Sequence, residues 1–301
     1  MITKIAPLIA VIVTLLSLNI NQVKPYLFPL TEPSVTPTPT VEPTTTPLPT
    51  IIPVTPTPKP TTIPAVQNTP AGAGYQRLAV QGDSGVFAVE VVVADLASTK
   101  VIVDTASLSD CKDNCPVLSL GDYVGRNGAF AGLNGSFFCP STYPSCAGKA
   151  NSFDTLLMNK DKAYFNSDNN IYSTVPAVIF SPGSVRFVSQ SLEWGRDTGI
   201  DSMLANYPLY LIGGNSAFAG SGDEKITAKG ARTFVGGGSG KVYLGVVLNA
   251  SASDVPAVLK KMGIQDALGM DQGGSTALWA NGRYIMGPGR GLPSAILFVK
   301  R

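Results

Sequence analysis

An α+β domain built on a largely antiparallel or mixed β-sheet with few helices is the fold class this sequence predicts, behind an N-terminal hydrophobic segment and a Pro/Thr-rich stalk. Two observations carry that prediction. Past residue 74, short β-branched and aromatic runs alternate with Gly, Pro and Ser clusters, the pattern of strands and turns. Over the same stretch only Ser253 to Gly263 bears helix signals at both ends, and no internal repeat is evident.

The N-terminal elements set the address. An apolar run from Ile5 to Ile20 follows Lys4. As a helix it would be about 24 Å long, short of a ~30 Å hydrocarbon core. That suits a signal peptide or a short signal anchor over residues 1–22. The poor small-residue site around Ser17-Leu18-Asn19-Ile20 favours the uncleaved anchor. Either way the domain is exported, tethered at the cell-surface membrane or secreted. Residues 23–74 read as a linker. Between Pro29 and Pro70 lie 13 of the 24 prolines, interleaved with threonine and without an aromatic residue, so neither helix nor packed core can form. At about 3.1 Å per residue this spacer reaches at most roughly 130 Å.

Residues 75–301 form the globular domain. Val86–Val93 and Lys100–Val103 read as an antiparallel pair joined near Ala97-Ser98-Thr99. Leu120–Arg126 is a weak helix. Ala129–Leu133 is a short buried strand that delivers Asn134-Gly135-Ser136. Ala177–Phe180 and Val185–Val188 form a hairpin around Ser181-Pro182-Gly183-Ser184. Arg232–Val235 and Val242–Leu248 form another, around a flexible turn Gly236–Gly240. Ser253 caps a helix over Asp254–Met262, with Pro256 in its first turn and Gly263 as its stop. Strands before Asp271 and over Thr276–Trp279 follow, and Ile296–Val299 closes the chain.

Composition removes whole function classes. The chain has no histidine, which excludes a Ser-His-Asp triad, a Cys-His pair and a His-Glu-x-x-His zinc site. Formal charge after residue 70 is 19 Lys/Arg minus 18 Asp/Glu, or +1, with no basic stripe for nucleic acid. Four cysteines fall as Cys111/Cys115 and Cys139/Cys146. In an exported chain they suggest two disulfides, with local pairing the simplest of three connectivities.

One carboxylate stands out. Asp271 sits between the apolar run Ala267-Leu268-Gly269-Met270 and the turn Gly273-Gly274-Ser275. A strand-end charge beside backbone without β-carbons points to a partner cation, a metal or a substrate. Asp154 is a second carboxylate, which reads as a surface cap. Taken together, Asn134-Gly135-Ser136-Phe137-Phe138, Ala231-Arg232-Thr233-Phe234-Val235-Gly236 and Leu268–Thr276 resemble the phosphodiester glycosidase family in order and spacing, from about Leu78 to the C-terminus. One departure is Asn249-Ala250-Ser251, where relatives often carry Asp-Gly-Arg, so a carboxylate and an arginine are missing there.

The resemblance implies hydrolysis of a sugar linked through its anomeric carbon to a phosphate diester, in cell-surface or extracellular polysaccharide. Such a transition state gathers positive charge on the sugar and negative charge on the phosphate. Asp271 is then the nucleophile or base, and Arg232 grips the phosphate bidentately. Thr233 supports Arg232. Asn134 and Gly135 at a strand end, with Gly273, Gly274 and Ser275 as a backbone nest, complete the expected substrate contacts. No cofactor is required, although Asp271, Asn134 and backbone carbonyls are of the type that holds Ca²⁺ or Mg²⁺. The rival classes are a surface-tethered binder of sugar phosphates without turnover, and a phosphoesterase that cuts P–O.

Overall fold

The computed structural model describes residues 66–168 and 173–301. The expected anchor at residues 1–22, and the linker up to residue 65, lie outside them. Among the described residues no helix is long and apolar enough to cross a membrane. In chain order the strands begin with β1 (Gly74–Gly82), β2 (Gly85–Asp95), β3 (Thr99–Thr105) and β4 (Ala131–Asn134). Next come β5 (Leu157–Met158), β6 (Tyr164–Phe165), β7 (Ala177–Ser181), β8 (Ser184–Val188), β9 (Ser202–Ala205), β10 (Leu209–Ile212) and β11 (Asn215–Ser216). The last are β12 (Gly230–Gly238), β13 (Lys241–Ala250), β14 (Asp266–Gly269), β15 (Leu278–Ala280), β16 (Arg283–Met286) and β17 (Ser294–Lys300). Three short helices interrupt them: α1 (Leu120–Asn127), α2 (Glu224–Thr227) and α3 (Val255–Lys261). The domain is α+β with antiparallel pairing throughout, as the sequence predicts.

Three sheets result. Seven strands run in the order β1-β2-β13-β12-β14-β10-β11; five run β16-β15-β4-β17-β3; five more run β6-β5-β9-β7-β8. One core joins all three: Val92 and Leu244 meet Leu133, Ile296, Phe180 and Leu204. Burial of each such side chain contributes about 1.5–3 kcal/mol. On its other face the seven-stranded sheet packs Val89, Val91 and Val247 against Val255, Val258 and Leu259 of α3. β2 is thus buried on both faces, which is why its sequence is a near-continuous run of valines without clean alternation. α1 covers the sheet that holds β4, with Leu120, Tyr123 and Val124 inward. Ser119 caps it in a reciprocal box with Asp122.

Several expectations are corrected. β2 and β3 are not a hairpin: β2 pairs with β1 and β13, whereas β3 pairs with β17 in another sheet. The local partner of β2 is β1, reached through the two-residue turn Asp83-Ser84, and that leaves β3 free to cross between sheets. Gln67 N donates to Ala79 O at 2.9 Å, and Asn68 Oδ1 accepts from Gln81 N at 2.9 Å, so residues 67 and 68 are tied to β1. α3 starts at Val255, not Asp254, because the Asp254 carboxylate turns back to accept from Ser251 N at 2.8 Å and Ser251 Oγ at 2.6 Å. The turn between β12 and β13 is only Ser239-Gly240, both with positive φ. Gly236 and Gly237 are strand residues, and a β-carbon on Gly237 would lie 2.8 Å from Val185 Cγ1.

Tight packing at the sheet centre is testable. A β-carbon at Gly245 would lie 2.5 Å from Phe234 Cζ and 2.9 Å from Glu90 O. Gly245→Ala is expected to destabilise the domain by about 1–3 kcal/mol, read as a lower urea midpoint at unchanged slope.

Candidate active site

A cleft of about 560 Å³ opens at the end of β14, beside the start of β12. Its wall holds Asp271, Arg232, Gly273, Ser275 and Arg290, together with Asp154, Asp223, Lys225 and Lys229. Phe137 and Tyr207 form an aromatic wall, with ring centroids 4.8 Å apart.

Asp271 is gripped by its backbone. Its amide donates to Gly135 O at 3.1 Å. Its carbonyl accepts from Asn134 Nδ2 at 2.7 Å and from the Thr233 hydroxyl. Asn134 comes from β4 in one sheet and Thr233 from β12 in another, so Asp271 is pinned where the two sheets meet. The carboxylate leans into the cleft, with Oδ1 accepting from Gln272 N at 2.8 Å and a further bond from the Ser275 hydroxyl. Only 9% of the residue is exposed. Burial raises its pKa to about 6; the bonds from Ser275 and Gln272 and the Arg290 charge oppose the rise, and the Asp154 charge adds to it.

Asn134, Gly135 and Thr233 therefore stand behind Asp271 and do not line the cleft. The Asn134 side chain is fully buried, and its Oδ1 already accepts from Ala277 N at 3.1 Å. Among the described residues no cluster of three or more acidic or cysteine ligands is present.

Arg232 lines the same cleft, with most of its donors engaged by the protein itself. Its Nε donates to Ala250 O at 2.9 Å, and Nη1 donates to Lys225 O at 3.0 Å and to Gln272 Oε1. Nη2 donates to Ala228 O. Four of the five N–H groups on its guanidinium are thereby engaged within the protein. Arg232 ties α2 and the end of β13 to the base of the cleft.

Sequence reasoning missed Arg290. Its backbone N donates to Gly274 O at 2.8 Å, and its guanidinium lies 5.2 Å from the Tyr143 ring centroid. Its Nη1 is buried without a hydrogen-bond partner among the described residues. A β-carbon at Gly274 would collide with this guanidinium, so the second glycine of the turn makes room for Arg290. The available signal was a lone cation in Gly287-Pro288-Gly289-Arg290-Gly291, a turn with no other charge. Asp154, expected as a surface cap, faces the cleft, and burial raises its pKa with Lys149 opposing. Asn249 does not line the cleft. Both local disulfides, Cys111–Cys115 and Cys139–Cys146, are formed, and the second closes the segment that carries Tyr143.

Comparison with known proteins bears on this geometry. A family profile described as phosphodiester glycosidase matches residues 127–299, more than half of the chain. No curated protein is similar enough in sequence to match. Among solved structures, the zebrafish N-acetylglucosamine-1-phosphodiester alpha-N-acetylglucosaminidase catalytic domain, auto-inhibited by its pro-peptide, superposes with a TM-score of 0.58 at 15% identity, covering 79% of this chain and 87% of that one. A hypothetical protein from Synechocystis gives a TM-score of 0.56 at 11% identity, over 75% of this chain and 62% of its own. At those identities the likeness is one of fold.

The two arginines should separate in stability measurements. Arg232→Ala strips paired donors from several carbonyls and is expected to cost about 3 kcal/mol, while Arg290→Ala stays within about 1 kcal/mol of the parent, both by chemical denaturation. Asp271 gives a second expectation. Its folded pKa is raised above the ordinary carboxylate value, so the folded state binds more protons than the unfolded one between about pH 4 and about 6. Stability is lost as pH rises through that window. Asp271→Asn removes the loss and is expected to be more stable than the parent at pH 7 by up to about 3 kcal/mol, a gain that disappears below about pH 4 in melting curves.

Proposed function

The chain belongs to the phosphodiester glycosidase family, and on that premise we propose that it hydrolyses the glycosidic C–O bond of a sugar 1-phosphodiester in cell-surface or extracellular polysaccharide. The observation that carries this reading is the pairing, in one cleft, of a desolvated carboxylate and a guanidinium with an unpartnered nitrogen: Asp271 and Arg290. The two charges match the two ends of the transition state. Asp271 faces the anomeric carbon, where positive charge develops, and activates the attack there. Arg290 faces the phosphate, where negative charge grows as the bond breaks. A phosphate monoester leaves as a weak base, so little help from a general acid is needed.

The surroundings support the assignment. Phe137 and Tyr207 offer ring faces to a sugar, and Gly273 lets backbone approach it. The two disulfides accord with an oxidising, extracytoplasmic compartment, and the N-terminal apolar segment would supply the tether.

The chemistry needs ionised Asp271. Hydrolysis of a chromogenic sugar 1-phosphodiester is expected to fall about tenfold per pH unit below about pH 6, the value to which Asp271 is raised. Removing the Arg290 charge should move that acid limb upward, and Asp154→Asn should move it downward, since those charges act on Asp271 in opposite directions. Hydrolysis in ¹⁸O water should label the sugar. Label in the phosphate would mean P–O cleavage, and binding without turnover would mean a binder.

A further inference from the structure

The Cys139–Cys146 segment carries Tyr143, a residue 41% exposed that lines the cleft. Two cations from separate parts of the chain reach this one ring. Lys225 Nζ, from α2, is 5.3 Å from its centroid, and the Arg290 guanidinium is 5.2 Å away. Among the described residues neither cation is in a salt bridge. Like charges gathered at one point repel, and a ring quadrupole offsets only part of that repulsion. The buried, unpartnered Nη1 of Arg290 adds an independent sign that an acceptor is missing.

We infer that Tyr143 is a positioning residue that holds Lys225 and Arg290 as a two-cation clamp for the phosphate, and that the clamp favours the monoester product over the diester substrate. This rests on the reading that Arg290 meets the phosphate. A diester carries one negative charge, whereas a monoester near pH 7 carries about 1.5 to 2 and three free oxygens. Two cations therefore hold the product, and inorganic phosphate, more tightly than the substrate. Hydrogen bonds fix the ring's mounting: Tyr143 N donates to Pro140 O at 3.0 Å, and Cys146 N donates to Tyr143 O at 2.9 Å.

Titration calorimetry of the full chain with inorganic phosphate tests the clamp without needing turnover. Tyr143→Phe keeps the ring and is expected to bind within about twofold of the parent. Tyr143→Ala and Lys225→Met are each expected to bind about five- to thirtyfold more weakly, with melting temperatures near the parent value. Equal binding by parent and Tyr143→Ala would overturn the proposal. So would an equal loss in Tyr143→Phe, or a parent that ignores phosphate while hydrolysing the diester. A chain that binds phosphate as described and hydrolyses no diester would count against the hydrolase reading alone.

Discussion

The cleft depends on one buried amide. Asn134 leaves β4, donates to the Asp271 carbonyl at 2.7 Å and accepts from Ala277 N at 3.1 Å. Thr233, from the seven-stranded sheet, donates to the same carbonyl. Two sheets thereby fix one stretch of backbone, and the carboxylate attached to it has little freedom left. Without the amide, Asp271 C=O and Ala277 N–H would each lose a partner in the interior, at about 1–3 kcal/mol apiece. A buried polar network of this kind specifies one arrangement because every member is satisfied.

On that base the molecule uses two guanidiniums in opposite ways. Arg232 gives three of its N–H groups to backbone carbonyl oxygens, which make it a structural tie. Arg290 is held partly by an aromatic face, which attracts the charge without accepting an N–H. Its donors thus stay available. The same contrast holds for the carboxylates. Asp254 is wrapped in hydroxyl and amide donors, which draw its pKa down despite burial. Asp271 keeps fewer partners and a raised pKa, a cost in folding stability that a purely structural group would not bear. Unsatisfied charge of both signs in one cleft is what a ligand with separated charges would relieve.

Much of this was legible in the chain. The strand pattern, the Gly-Gly-Ser turn after Asp271, the α1 segment and the hairpin at Ser181–Ser184 all rest on local chemistry, and local chemistry is what a sequence displays. The pairing of β2 with β1 was equally local but hidden, because Gln76–Gln81 mixes polar residues into an edge strand. What stayed out of reach was long-range. Nothing in Arg232-Thr233 says that the guanidinium will be surrounded by Lys225, Ala228 and Ala250 carbonyls, since backbone acceptors carry no sequence signature. Arg290 was overlooked for the converse reason. Its partners are Tyr143, far upstream, and a glycine whose role is to be small. Asn134, Gly135 and Thr233 do converge on Asp271, but from behind, and a motif read as a string cannot separate the front of a site from its support.

The departure at Asn249-Ala250-Ser251 can be weighed in the same terms. Asn249 is exposed with φ 52°, a left-handed conformation that asparagine tolerates. It sits where the pairing of β12 with β13 shifts register, and there the Ala250 carbonyl accepts from Arg232 Nε at 2.9 Å. Ser251 then bonds Asp254 ahead of α3. The feature this segment supplies is therefore a backbone oxygen, placed by an irregularity at the end of β13 and independent of any side chain at 250. Neither Asn249 nor Ser251 lines the cleft, whose wall carries Asp271 and Arg290.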